Sequence, residues 1–483
     1  MSFQSVTELI AALRSRKISA VEALNESIRC IEARDQELNA VVVRDFERAR
    51  AAAVQADAAL ARGERWALLG VPMTVKESFN VAGLPTTWGL PAAAKSIAQS
   101  DAVAVSRLKA AGAVVLGKTN VPVNLGDLQS VNPLYGLTRN PWNPERTPGG
   151  SSGGAAAALA AGFVPLELGS DLGGSLRFPA HCCGIYAHKP TFALVPTRGH
   201  APPGTPDLSV SRDPDLAVVG PMARSAADLK VALDVLAGPD EPQSLGYQLE
   251  LPDARHARLA DFRVLLLDEH PLLPLSEEVH AALARLGGQL QRLGCKVERS
   301  SPQLPDLKVI AHTFTQLLMS YIGAGLPDGP YQALQQQAER AGVRTDPAAV
   351  RLRALVASHR DWMVADRNRA HLLHEWRQLF QSWDVVLCPV LPTPAFAHDS
   401  GEFEARRIDI DGRVVPYAVQ GIWASLASAS GLPATAVPIE IGASGLPIGI
   451  QIIGPYLEDR TTLAFAELLE RELGGFKPPP AFA

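Results

Sequence analysis

Leu9, Ile10 and Leu13 recur on one helical face directly after Ser5-Val6-Thr7-Glu8. A serine three residues ahead of a glutamate is a capping box, in which each side chain satisfies the other's backbone donor. A helix is therefore expected from the start of this pattern. Ser19-Ala20-Val21-Glu22 repeats the signal and opens a helix through about residue 34, and an Ala-rich helix follows over 46–62. The period then changes. Leu68-Leu69-Gly70-Val71-Pro72-Met73-Thr74-Val75 is an apolar run of strand length that delivers Lys76 at its end. Residues 103–111 read as a helix stopping at Gly112, and Ala113-Val114-Val115-Leu116 as the strand after it.

Further on, 132–148 is dense in Pro and Asn and reads as loop, as does the proline-rich 198–215. Helices are expected over 223–237, 276–293 and 463–473, and strands over 262–267, 295–298, 383–389, 431–438 and 447–453. The stretch 304–380 is helical with little β character. Alternating strands and helices, with no internal repeat and no clear linker, argue for one α/β domain around a mixed β-sheet. Within 1–483 the expected parts are N-terminal helices (1–65), a catalytic core (66–300), a helical insertion shaping substrate access (304–380) and a return to the sheet (381–483).

Composition narrows the classes. Of 483 residues 47% are hydrophobic and 20% charged, which suits a globular protein with a large core. The net charge is −5 and no basic block occurs, so the footprint of a nucleic-acid binder is missing. No run reaches the ~18 apolar residues of a membrane span. No signal peptide is evident, and the five scattered cysteines form no CxxC pair. They read as reduced thiols of a cytoplasmic protein, with neither a disulfide framework nor a metal site.

Two motifs fail on context. Gly112 to Thr119 fits G-x-x-x-x-G-K-[ST], but here the intervening residues are themselves the strand, and Pro122 stands where a helix should run. Gly149-Gly150-Ser151-Ser152-Gly153 fits the nucleophile elbow G-x-S-x-G, but the Pro-rich segment before it cannot be the required strand. His181 and His188 stand near Cys182 and Cys183. With no activator for the thiols, packing is the stronger reading of that cluster.

The chemistry concentrates in two glycine-serine loops flanking an Ala-rich segment. They are Arg146-Thr147-Pro148-Gly149-Gly150-Ser151-Ser152-Gly153-Gly154 and Gly169-Ser170-Asp171-Leu172-Gly173-Gly174-Ser175-Leu176-Arg177. A serine in such a loop presents its hydroxyl beside free backbone N–H groups, the arrangement acyl transfer uses. On the residues alone, Lys76 would reach solvent or pair with Glu77, since an unpartnered buried ammonium is costly.

Taken together, these loops and the upstream Pro72-x-x-Val75-Lys76 closely resemble the amidase signature family. The likeness extends to Asn140-Pro141-Trp142, Lys189-Pro190-Thr191 and Gly445-Leu446-Pro447-Ile448-Gly449, and so covers nearly the whole chain. It implies a mixed sheet with helices on both faces and a Ser-Ser-Lys triad. Ser175 would be the nucleophile, Ser151, after a cis peptide at Gly150, the proton bridge, and Lys76 the base, with two neighbouring hydroxyls as its partners. For that role Lys76 must fall from about 10.4 to roughly 7, which is ~4.6 kcal/mol against its charged form. The amides of Leu172, Gly173, Gly174 and Ser175 would form the oxyanion hole, braced by Gly150, Asp171 and Arg177. Leu125, Gly126, Asp127, Leu128, Gln129 and Phe178 would line the substrate pocket. Ser170 stands where threonine is frequent, and Ala187-His188 where Gly-Leu is frequent.

The implied activity is hydrolysis of the C–N bond of small or aryl carboxamides through an acyl-enzyme. Anilides, aryl esters and carbamates are relatives of that substrate, and no metal or organic cofactor is needed. The expected partners are a small amide and water, with no nucleic acid and no membrane, in a monomer or homodimer. The alternative is the amidase subunit of a tRNA-dependent amidotransferase. That subunit usually carries glutamine where Phe178 stands here.

Overall fold

A computed structural model describes residues 3–205, 213–241, 243–344 and 346–483. Among them runs an eleven-stranded mixed sheet. Its order is Val41–Arg44, Val114–Thr119, Pro72–Lys76, Leu166–Asp171, Val218–Ala223, Tyr186–Lys189, Ala434–Ile441, Pro447–Ile453, Val385–Pro389, Arg263–Leu266, Lys296–Glu298. Pro72–Lys76, Val114–Thr119, Leu166–Asp171, Val385–Pro389 and Pro447–Ile453 are buried along their whole length. A strand covered on both faces is apolar at nearly every position, which is why these runs do not alternate.

The two faces sort by parity. Val385 and Leu387 join one apolar cluster, while Val386 and Cys388 join the other. Val264 and Leu266 likewise part from Leu265. The first cluster takes in the N-terminal helices Val6–Arg14, Ala20–Leu38 and Phe46–Ala61 and the buried Gly153–Ala160. The second packs Leu307–Ala324, His359–Ser382 and Ile422–Ser428 against the opposite face. The sheet therefore has helices on both sides, as expected.

Both capping boxes form, at Ser5 and Ser19. The second helix runs on to Leu38, where Asn39 turns left-handed at φ 58°. The 304–380 stretch holds the helices Leu307–Ala324, Asp328–Ala341 and Pro347–Leu355 and the start of His359–Ser382. Val218–Ala223 escaped the sequence reading because Gly220 and Pro221 mark it as a poor strand. It nonetheless lies between Leu166–Asp171 and Tyr186–Lys189, antiparallel to both. Part of the proline-rich loop, 206–212, lies outside the described residues. No helix among the described residues is long and apolar enough to cross a membrane.

The phosphate-loop look-alike is strand, as its context indicated. Gly117 pairs with Arg44 and Lys118 with Val43, and Lys118 Nζ donates to Pro85 O and to Thr86 Oγ1 at 3.0 Å.

Candidate active site

Two parallel strands create the site. Pro72–Lys76 runs beside Leu166–Asp171 with Thr74 opposite Glu167 and Val75 opposite Leu168, so Lys76 and the Ser170-Asp171 end meet at one edge of the sheet. The first glycine-serine loop enters from Pro148 and passes through a cis peptide at Gly150–Ser151 into the helix Gly153–Ala160. Small residues let that helix sit hard against the sheet. A Cβ on Gly154 would fall 2.3 Å from Asn120 N.

Lys76 neither reaches solvent nor pairs with Glu77. It is fully buried, and Glu77 turns its carboxylate to Thr87 N, Thr87 Oγ1 and Trp88 N. Lys76 Nζ lies 2.6 Å from Ser151 Oγ and 2.9 Å from Ser170 Oγ. Burial pulls the lysine down to about 7, against the upward pull of Asp171 and Glu167. The second hydroxyl on the lysine is thus Ser170, which the sequence marked only as a departure from threonine. Ser175 is half-buried, and its hydroxyl makes no hydrogen bond among the described residues. Nearby, the His200 ring is 3.0 Å from Ser78 Oγ and is held at about 3 by burial and by Lys76.

The second loop is braced from beneath. Arg177 is fully buried and grips Asp171 with Nε and Nη2, both at 3.0 Å. Its other bonds reach Ala424 O, Gln451 Oε1 and Ser428 Oγ. Burial by itself would raise Asp171, but the guanidinium outweighs it and holds the carboxyl at about 2. Asp171 also accepts from Gly174 N at 2.7 Å and Leu176 N at 3.1 Å. The Gly174 amide, expected in the oxyanion hole, is therefore engaged by Asp171. The amides of Leu172, Gly173 and Ser175 have no partner among the described residues.

The expected pocket residues divide. Leu125 is half-buried and Gly126 exposed at the end of their loop. Asp127 accepts from Arg406 Nη1 at 2.6 Å and Tyr417 Oη at 2.8 Å, and Leu128 packs on the first apolar cluster. Gln129 is buried with both ends of its amide on the backbone of Asp399, so it braces the 396–401 segment. The Phe178 ring packs where a Cβ on Gly174 would stand. Sequence reasoning missed Phe314 and Leu318 of the helix Leu307–Ala324, which border Gly173, because no local pattern links them to that loop. The His and Cys cluster is structural. The His188 ring lies 3.0 Å from Asp459 Oδ1 and 2.9 Å from Thr435 Oγ1, the His181 ring contacts Gly449 O and Thr393 O, and burial pushes both Cys182 and Cys183 up.

The sequence model of the Amidase family matches residues 22–463. An indoleacetamide hydrolase of Bradyrhizobium diazoefficiens is 35% identical over 97% of this chain and 86% of its own. A glutamyl-tRNA(Gln) amidotransferase subunit of Nitrosococcus oceani is 31% identical over 96% of both chains. A bacterial aryl acylamidase of the amidase signature family superposes with a TM-score of 0.79 at 25% identity, covering 97% of this chain and 96% of that one.

Proposed function

The chain belongs to the amidase signature family, an amidase acting on the C–N bond of amides, and from that premise we propose that it is a self-sufficient hydrolase of small carboxamides bearing an apolar or aryl acyl group. Ser175 attacks the carbonyl carbon, and its proton passes through Ser151 to Lys76. The oxyanion is received by the amides of Leu172, Gly173 and Ser175. The same relay returns the proton to the leaving amine, and water then releases the acyl group from Ser175.

One observation carries this reading: a fully buried lysine, held at about 7, lies 2.6 Å from Ser151 Oγ. A base is most effective when its proton affinity matches the working pH. The apolar acyl preference rests on Phe314, Leu318 and Phe178 around Gly173 and Gly174. Indole-3-acetamide fits this class, and the relative named for hydrolysing it supports placing it on the panel. The amidotransferase-subunit reading draws on the second relative, and Phe178 in place of glutamine weighs against it.

The test is ammonia release from indole-3-acetamide and benzamide, beside 4-nitroaniline release from a short-acyl nitroanilide and alcohol release from an aryl carbamate, by the purified chain. Turnover of any of them that Ser175→Ala abolishes, with the fold intact by circular dichroism, supports the proposal. Turnover surviving in Ser175→Ala overturns the nucleophile. Silence on all four substrates, with a stable partner recovered by pull-down, favours the subunit reading.

A further inference from the structure

Beneath Lys76 lies a group of polar atoms that the proposed reaction does not use. Thr74 and Lys76 stand two apart on one strand and so share a face of the sheet. Glu167 is the register partner of Thr74, and Thr119 that of Lys76. All four side chains therefore project to the same side. Thr74 Oγ1, Thr119 Oγ1 and Glu167 Oε1 are buried there without a well-formed hydrogen bond, the two hydroxyls lying close enough to the Glu167 carboxyl to favour its ionised form, while Glu167 Oε2 accepts from its neighbour Leu168 N at 2.9 Å. Three adjacent buried polar atoms without well-formed bonds are unusual, because a buried polar group is normally paired. Lys76 itself has one N–H left over. Charged or neutral, its nitrogen meets only Ser151 and Ser170 among the described residues.

We propose that Glu167 is a positioning residue for the Lys76 base: its carboxyl, on the face of the sheet that Lys76 occupies and with one oxygen lacking a well-formed hydrogen bond, governs how tightly Lys76 holds its proton. Burial pushes Glu167 up to about 8, against the pull of Thr74, Thr119 and Lys76, so near neutrality acid and lysine exchange influence. When Glu167 is ionised, its charge keeps the proton on Lys76. When it is neutral, Lys76 gives the proton up and becomes available to Ser151.

The other charges around the lysine do not play this part. Asp171 is held by Arg177 at about 2, and His200 is held neutral. Glu77 faces Thr87 and Trp88. Lys118 turns to Pro85 and Thr86. Neither the helix Gly153–Ala160 nor the strand Val218–Ala223 carries a titratable side chain.

This inference rests on Lys76 as the base, and its test needs no known substrate. An alkyl fluorophosphonate reacts with an activated serine: the Ser175 Oγ–P bond forms, the P–F bond breaks, fluoride leaves and the serine proton passes to the base. The labelling rate of the full-length chain is followed against pH. In Glu167→Gln the acid limb should move to lower pH by about half a unit or more, because no carboxylate can then hold the lysine's proton. Glu167→Asp keeps the charge and should restore the wild-type midpoint. A Glu167→Gln profile coincident with wild type overturns the proposal.

Should Glu167→Gln fail to fold, Thr74→Val and Thr119→Val each remove a hydroxyl that favours the ionised acid. Each should then move the limb the same way by a smaller amount, and unchanged profiles in both overturn the proposal equally. Lys76→Ala run alongside separates the two ideas. Labelling with a wild-type profile in that variant sinks the base assignment, whereas its loss beside an unmoved Glu167→Gln profile sinks only the role of Glu167.

Discussion

Replacing Lys76 by Met should abolish turnover and make the protein more stable. The folded chain holds Lys76 at about 7 against an ordinary 10.5. Between those values the unfolded chain binds more protons, so the stability of the native protein rises with pH across that window; it is lost as pH falls from about 10.5 toward 7 and changes little below. At about 1.4 kcal/mol per pH unit, keeping this lysine buried costs the fold about 4 kcal/mol at pH 7 and about 2 at pH 9. Met fills similar volume and carries no charge. Against that gain stand the two contacts to Ser151 and Ser170, worth about 1–2 kcal/mol together. The variant should therefore gain about 2–3 kcal/mol at pH 7 and close to nothing at pH 9. Lys118 and Lys189, also held low by burial, titrate in both proteins and drop out of the difference. Urea midpoints of the two proteins at pH 7 and pH 9 make the comparison. A variant less stable than wild type at pH 7, or an advantage of equal size at both pH values, would refute the reasoning.

Turnover by the wild-type chain should climb about tenfold per pH unit below about 7 and level off above it, as Lys76 loses its proton; a rate flat from pH 5 to pH 8 would contradict this. Arg177→Met should destabilise the protein by about 3–5 kcal/mol, because it leaves Asp171 charged and unpaired in the core. Adding Asp171→Asn should recover part of that loss, and strictly additive effects in a denaturant cycle would argue against the pair. Gly154→Ala should cost about 1–3 kcal/mol, read as a lowered melting temperature, since its Cβ has no room beside Asn120.

Much of the fold could be read along the chain. The capping boxes at Ser5 and Ser19 are rules of neighbouring residues, and both formed. Continuous apolar runs at 72–75 and 447–453 announced strands buried on both faces, because such strands cannot alternate. Val218–Ala223 could not be read this way, since Gly220 and Pro221 are tolerated only through the strands on either side. The loops bearing Ser151 and Ser175 stood out by their glycine and serine order, whereas the residues around Lys76 pointed it to solvent or to Glu77, and only the family resemblance drew it toward the loops.

The partners of those residues were not legible. Which hydroxyl joins Ser151 on Lys76 depends on the parallel register of two strands, and it is Ser170. The Gly174 amide turned to Asp171 because a buried Arg177 fixes that carboxylate within the loop. Asp127 meets Arg406 from 279 residues away. The order of residues determined where glycine bends the backbone, where helices begin and which strands are buried on both faces, because these follow from sterics and from local hydrogen bonding and hydropathy. Burial depth and the match of polar partners across strands were decided only when the sheet closed. The lowered proton affinity of Lys76 arises from that enclosure, since desolvation is a property of the surrounding volume and not of the neighbouring residues in the chain.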